Sequence, residues 1–275
     1  MYKKTLKGGD ILEKVFKCTS RKNKNGVEKV VGKMEIKNLS DTTAELLLYG
    51  DIVKDEWYKC SDNDTCPKDI VDFLKDLDNF ESLNININSG GGSVHGGLAI
   101  YNQLKRHNGF KTVHIDGIAA SISSVIACVG DKVVIPTPSQ FMIHKPSICL
   151  WANVNANSLR KMAETLDVCE ESILNVYMTK VKNGITKEQI QALVNAETWF
   201  TGENVTDYFD FEIEEAGEAV ASASMFYENY NRTPKGLRDK SFFNDKNEPK
   251  PPQMPKEIRD LTQKILEKQK NWGID

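Results

Sequence analysis

Leu83-Asn84-Ile85-Asn86-Ile87-Asn88-Ser89-Gly90-Gly91-Gly92-Ser93-Val94 is the stretch on which the reading of the chain turns. Leu83, Ile85 and Ile87 alternate with three asparagines, the period-two pattern of a strand with one buried face. The strand runs directly into three glycines, after which Leu98, Tyr101 and Leu104 continue at helical spacing. A strand, a glycine turn and a helix in this order present backbone N–H groups to a carbonyl or an anion. A phosphate loop is excluded, because no Gly-Lys-Ser/Thr pattern follows. The dinucleotide fingerprint also fails, because His95 stands at the third glycine position. An oxyanion-binding or peptide-aligning loop is what remains.

Upstream, Ala44 to Tyr49 reads as a short apolar strand, and Ile70, Phe73, Leu74 and Leu77 as one face of a helix. Downstream, Thr112 to Ile115 reads as a second strand, and the apolar run from Ile118 to Val129 is long enough for a buried helix. Lys132 to Ile135 and Gln140 to Ile143 read as short strands. Strands and helices alternating at this spacing predict an α/β fold with a mostly parallel sheet and crossover helices. A long helix is expected over 157–182, where Leu159, Met162, Leu166, Cys169, Ile173 and Val176 form a heptad-like stripe. Such a stripe either packs on the sheet or projects to pair with another subunit.

The charge is −3 overall but uneven. Residues 1–34 hold ten Lys or Arg against three acids, and residues 231–275 hold eleven against seven. The small net charge excludes a protein whose whole surface binds nucleic acid electrostatically. Five of the nine prolines lie beyond Asn231, amid Lys, Asn and Glu. The expected organisation is a basic N-terminal segment over 1–40, a central domain over 41–230, and a linker and tail over 231–275. The basic N-terminus is followed by no apolar stretch long enough for a signal peptide, and no run reaches membrane-spanning length, which predicts a cytoplasmic chain without a membrane partner. The six cysteines are then expected to be reduced. Cys60 and Cys66 resemble half a metal site, but no second pair completes it, so no metal and no cofactor is expected.

Two further segments carry chemistry. In Gly117-Ile118-Ala119-Ala120-Ser121 a strand end turns into an apolar helix. Ser121 there is either a helix cap or a nucleophile held on a rigid mount among outward-pointing N–H groups. In Met142-Ile143-His144-Lys145-Pro146 a histidine leaves the end of an apolar strand. It is either a hydrogen-bonded core residue or a base, since its ordinary pKa lies near working pH.

The three segments in this order resemble the Clp protease proteolytic subunit family, with Asn-Ser-Pro-Gly-Gly, Gly-x-Ala-Ala-Ser and Met-Ile-His-Gln-Pro at like spacing. The likeness spans roughly residues 42–215. Glu197-Thr198-Trp199-Phe200-Thr201-Gly202 and Leu48-Tyr49-Gly50-Asp51-Ile52 look like the branch of bacteriophage head-maturation (prohead) proteases. The resemblance implies a ClpP/crotonase-like fold of repeated β-β-α units, with the 157–182 helix as a handle joining stacked heptameric rings. It implies a serine endopeptidase with Ser121 as nucleophile and His144 as base. The N–H groups of Gly92, with Gly91 beside it, and of Ile122 would form the oxyanion hole. Glu197 falls where the family has its triad Asp, with Asp207 and Asp210 as fallback candidates, and Gly90 stands where the family usually has Pro, which predicts a looser loop. The implied substrates are polypeptides: capsid or scaffold precursors in the phage branch, or chains fed by an ATP-driven unfoldase in the housekeeping branch. Two other readings compete. One is an acyl-CoA enzyme of the related crotonase fold, and the other is a non-catalytic ring or scaffold subunit.

Overall fold

The alternation around Ile85 produces a strand with one buried face. In the computed structural model of the chain, Leu83, Ile85 and Ile87 are fully buried, while Asn84 and Asn86 lie on the half-exposed face. The structure describes residues 13–19, 30–37, 43–61, 63–75, 81–150, 153–214, 227 and 230–234, the first two stretches by their backbone alone. Leu77, residues 1–12 and the tail beyond 234 lie outside them.

The described elements are β1 (Glu13–Thr19), β2 (Val30–Lys37), β3 (Thr43–Tyr49), α1 (Pro67–Lys75), β4 (Ser82–Ser89), α2 (Val94–Arg106), β5 (Phe110–Ala120) and α3 (Ile122–Ala127). They continue with β6 (Lys132–Pro136), β7 (Gln140–Ile143), α4 (Ala156–Tyr177), α5 (Lys187–Asn195), β8 (Thr198–Thr201) and β9 (Glu212–Glu214). β1 and β2 pair antiparallel. The main sheet runs β3-β4-β5-β6-β9, every neighbour parallel, with β7 parallel to β5 and β8 antiparallel to β7. This is the mostly parallel α/β arrangement predicted from the alternation of elements, since parallel neighbours require crossovers. Its core is built from Leu46, Leu48, Ile85, Ile87, Val113 and Ile115 on successive strands, all at or near zero exposure.

The sequence divides differently in one place. The run from Ile118 to Val129, which reads as one buried helix, is split: Ile118, Ala119 and Ala120 extend β5, and Ile122–Ala127 are helical. A continuous apolar run has no period that separates buried strand from buried helix. Tertiary pairing decides it, because Ile118–Ala120 register with Gln140–Met142 of β7. The long helix is α4, ending at Tyr177 rather than near 182.

One irregularity positions everything that follows. Ile87 of β4 pairs with Ile115, but Ser89 pairs with Ala119, so two residues of β4 lie against four of β5. Below this point β5 pairs with β6; above it β5 pairs with β7. The change of partner brings the end of β5 beside the end of β7. Antiparallel β8 is then added on the far side of β7, with Ile143 opposite Thr198.

The loop between Cys60 and Cys66 is organised by Asp64, whose carboxylate accepts from the N–H groups of Cys60 (2.8 Å), Ser61 (2.9 Å) and Asp51 (3.1 Å). Among the described residues no group of three His, Cys, Asp or Glu is placed to hold a metal. No helix among them is long and apolar enough to cross a membrane.

Candidate active site

Ser121 sits between β5 and α3 with φ 57° and ψ −127°, a left-handed conformation that costs a side-chain-bearing residue roughly 1–3 kcal/mol. Its N–H donates to Met142 O at 2.9 Å, which ties the turn to β7. Its side chain does not cap α3. The hydroxyl instead lies 2.7 Å from His144 Nε2. The two nearby serines are used differently. Ser123 Oγ donates to Ser89 O (2.8 Å) and Ala120 O (2.7 Å), and Ser124 Oγ donates to Ser121 O and lies 2.7 Å from Tyr177 Oη. Those bonds hold the helix start on the sheet and leave Ser121 as the serine aimed at the imidazole.

His144 follows directly from the sheet register. It is the residue after Ile143 at the end of β7, and Glu197 is the residue before Thr198 at the start of β8, so the two are the next antiparallel pair beyond Ile143–Thr198. Burial holds the imidazole below its ordinary pKa, and the Glu197 charge pulls it partly back. The net effect keeps His144 neutral at neutral pH, able to accept a proton. With the neutral ring's own proton on Nδ1, Ser121 Oγ–H donates to Nε2.

Glu197 is 6% exposed and has φ 49°. Its Oε2 accepts from Asn231 N (2.8 Å) and Asn231 Nδ2 (3.2 Å), and its Oε1 from Arg232 N (2.5 Å) and Trp199 Nε1 (3.5 Å). Four donors fill the usual capacity of a carboxylate. It acts on His144 through its charge, and no hydrogen bond joins it to the imidazole. Asp207 and Asp210 are exposed, and neither contributes to the electrostatics of His144.

The glycine loop closes the third side. Gly91 and Gly92 have φ of 103° and 141°, and a Cβ on Gly92 would stand 2.1 Å from Ile52 O. The loop is strapped to Ile52, whose N–H donates to Gly91 O (2.7 Å) and whose carbonyl accepts from Ser93 N (2.7 Å). Gly90 is not in the left-handed region, and its carbonyl accepts from the Tyr230 hydroxyl at 2.5 Å. Ile122 is the first residue of α3, so its N–H has no intrahelical carbonyl to meet. Beside the Ser121–His144 pair lies a shallow depression walled by Val94, Ile122, Val125, Pro146, Ile173 and Tyr177.

The sequence reading missed Trp199, Tyr230, Asn231 and Arg232. The last two fall where composition reads as linker. A signal was present in the pair Tyr227 and Tyr230, both buried, just ahead of that shift.

A family model described as Clp protease matches residues 39–208. The ATP-dependent Clp protease proteolytic subunit 1 of Chlamydia abortus is 33% identical over 124 residues, covering 44% of this chain and 64% of that protein. Subunit 2 of Thermobifida fusca is 30% identical over 135 residues, covering 48% of this chain and again 64% of that protein. The chain therefore spans just under two thirds of the curated relatives it matches. A solved ClpP1 point mutant from Listeria monocytogenes superposes with a TM-score of 0.51 at 23% identity, covering 62% of this chain and 91% of that one, a likeness of fold. With the matched residues holding the glycine loop, Ser121, His144 and Glu197 alike, the chain belongs to the Clp protease family.

Proposed function

We propose that this chain is a serine endopeptidase in which Ser121 attacks the peptide carbonyl and His144 takes its proton. The observation that carries the reading is the 2.7 Å contact between Ser121 Oγ and His144 Nε2, made from a left-handed turn that frees the hydroxyl from capping. The tetrahedral oxyanion meets the N–H groups of Gly92 and Ile122, with Gly91 shaping the loop; each such donor is worth about 3 kcal/mol in the transition state. His144 then gives its proton to the leaving amine, and water hydrolyses the acyl-enzyme by the same steps. Glu197 stabilises the imidazolium by its charge. No metal or cofactor has a role in this scheme. A fluorophosphonate probe tests it: labelling is expected at Ser121 by peptide mapping, and labelling confined to another residue, or none, refutes the assignment.

The same reading extends to assembly. Along α4, Cys169, Ile173, Leu174 and Tyr177 are buried, whereas Leu159 is 45% and Val168 67% exposed, with Met162 and Leu166 only half-covered. The first half of the helix thus carries its apolar stripe away from the core, which supports a handle joining copies of this chain into stacked rings. Sedimentation is expected to show a ring-sized particle that falls to smaller species in Leu166→Glu. Wild-type protein that cleaves peptides as a monomer would count against the handle. The substrates are proposed to be capsid or scaffold precursors. The support is the Glu197–Gly202 and Leu48–Ile52 segments, and the check is Ser121-dependent cleavage of a co-expressed precursor; an intact precursor favours the housekeeping, unfoldase-fed alternative.

A further inference from the structure

The residues that surround the Ser121–His144 pair come from two parts of the chain. The loop, the serine, the histidine and Glu197 lie within residues 39–208, which the family model matches, whereas Tyr230, Asn231 and Arg232 lie beyond them. These last residues converge on three separate parts of the site. The Tyr230 hydroxyl donates to Gly90 O at 2.5 Å, and a Cβ on Gly91 would lie 3.2 Å from that hydroxyl and 2.7 Å from Ser121 Cβ. The Tyr230 ring meets the His144 imidazole edge-on, with centroids 4.8 Å apart, and meets Trp199 at 6.2 Å. One and two residues on, the N–H groups of Asn231 and Arg232 hold both oxygens of Glu197.

We infer that Tyr230, with the peptide N–H groups of Asn231 and Arg232, is a positioning element of this catalytic centre supplied from beyond the family-matched residues. The phenol fixes the face of the His144 ring and the height of the glycine loop, and the two N–H groups hold the Glu197 carboxylate in place beside the imidazole. The inference rests on the peptidase reading of the site. Tyr230 is 5% exposed and packs with Tyr227, Ile118, Ala120, Met142 and Trp199, so its position is set by a small apolar cluster of its own. Burial pushes its phenol well above the ordinary value, which keeps it a neutral donor. The segment does not line the depression walled by Val94, Ile122 and Pro146 on the other side of the same Ser–His pair.

The groups facing the imidazole are Ser121, the Tyr230 ring and the Glu197 charge; the adjacent Lys145 is paired with Glu170 at 3.1 Å. Since burial is the main cause lowering the pKa of His144, removing the ring raises it toward the ordinary histidine value. The test compares wild type, Tyr230→Phe and Tyr230→Ala by fluorophosphonate labelling rate against pH and by NMR titration of His144. Tyr230→Ala is expected to label Ser121 about 10- to 100-fold more slowly, with the acid limb moved to higher pH. Tyr230→Phe keeps the ring, so it is expected to be slowed while retaining the wild-type limb. Unchanged rates and limbs in Tyr230→Ala overturn the inference, and faster labelling overturns it in favour of a brake. If the wild-type serine fails to label, the peptidase reading falls, and an unmoved His144 titration in Tyr230→Ala separately refutes the positioning role.

Discussion

Ser121→Ala is expected to lower peptide turnover by roughly 10⁶-fold, the size of effect seen when a serine nucleophile is removed from a group of residues that act as a unit. The fold should barely change. The Ser121 hydroxyl bonds to His144, interacts with the Tyr230 hydroxyl and makes no bond to the helix it begins, so its removal costs about 1 kcal/mol. The neighbouring serine gives the contrast. Ser123 Oγ shares its one proton between two buried carbonyls, those of Ser89 and Ala120, so Ser123→Ala should destabilise by about 1–3 kcal/mol while keeping the nucleophile. Urea unfolding and single-turnover hydrolysis, run on both variants, separate the two. Adding His144→Ala to Ser121→Ala should cost little further, since each partner works only through the other. A Ser121→Ala protein that still turns over while Ser123→Ala does not would sink the mechanism.

Glu197→Gln is expected to cut kcat by about 10³- to 10⁴-fold, comparable to loss of the carboxylate in other serine peptidases. Two causes add. The imidazolium formed during attack loses the nearby negative charge. In addition, a glutamine must place its NH₂ against at least one of the donors from Asn231, Arg232 or Trp199, which now have an acceptor on both oxygens. The direction of the pH effect follows from the same residues. Glu197 raises the His144 pKa against the lowering by burial, so its neutralisation leaves burial alone. The acid limb of kcat/KM should therefore move to lower pH as kcat falls, opposite to the shift expected for Tyr230→Ala. Unaltered kinetics and an unmoved limb would show that Glu197 is structural only.

Some of this protein is written locally. The alternation of Leu83, Ile85 and Ile87 specifies a strand because side chains on a strand change face at every residue. The glycines at 91 and 92 are legible because the turn needs positive φ and a close approach to Ile52. Ser121 and His144 stand out in the sequence because each sits at an apolar strand end, in an order that resembles a known family. Other features belong to the tertiary structure alone. Whether Ile118–Ala120 are strand or helix is decided by pairing with β7, because a fully apolar run carries no period. Which carboxylate stands beside His144 is decided by the register of β7 against β8, a pairing of segments more than fifty residues apart. The hold of Tyr230 on Gly90 joins positions 140 residues apart in the chain, from a segment whose composition reads as linker. Periodicity and turn chemistry report the residues next to one another in sequence. Contacts of this kind arise only once the sheet has folded and brought its strand ends together.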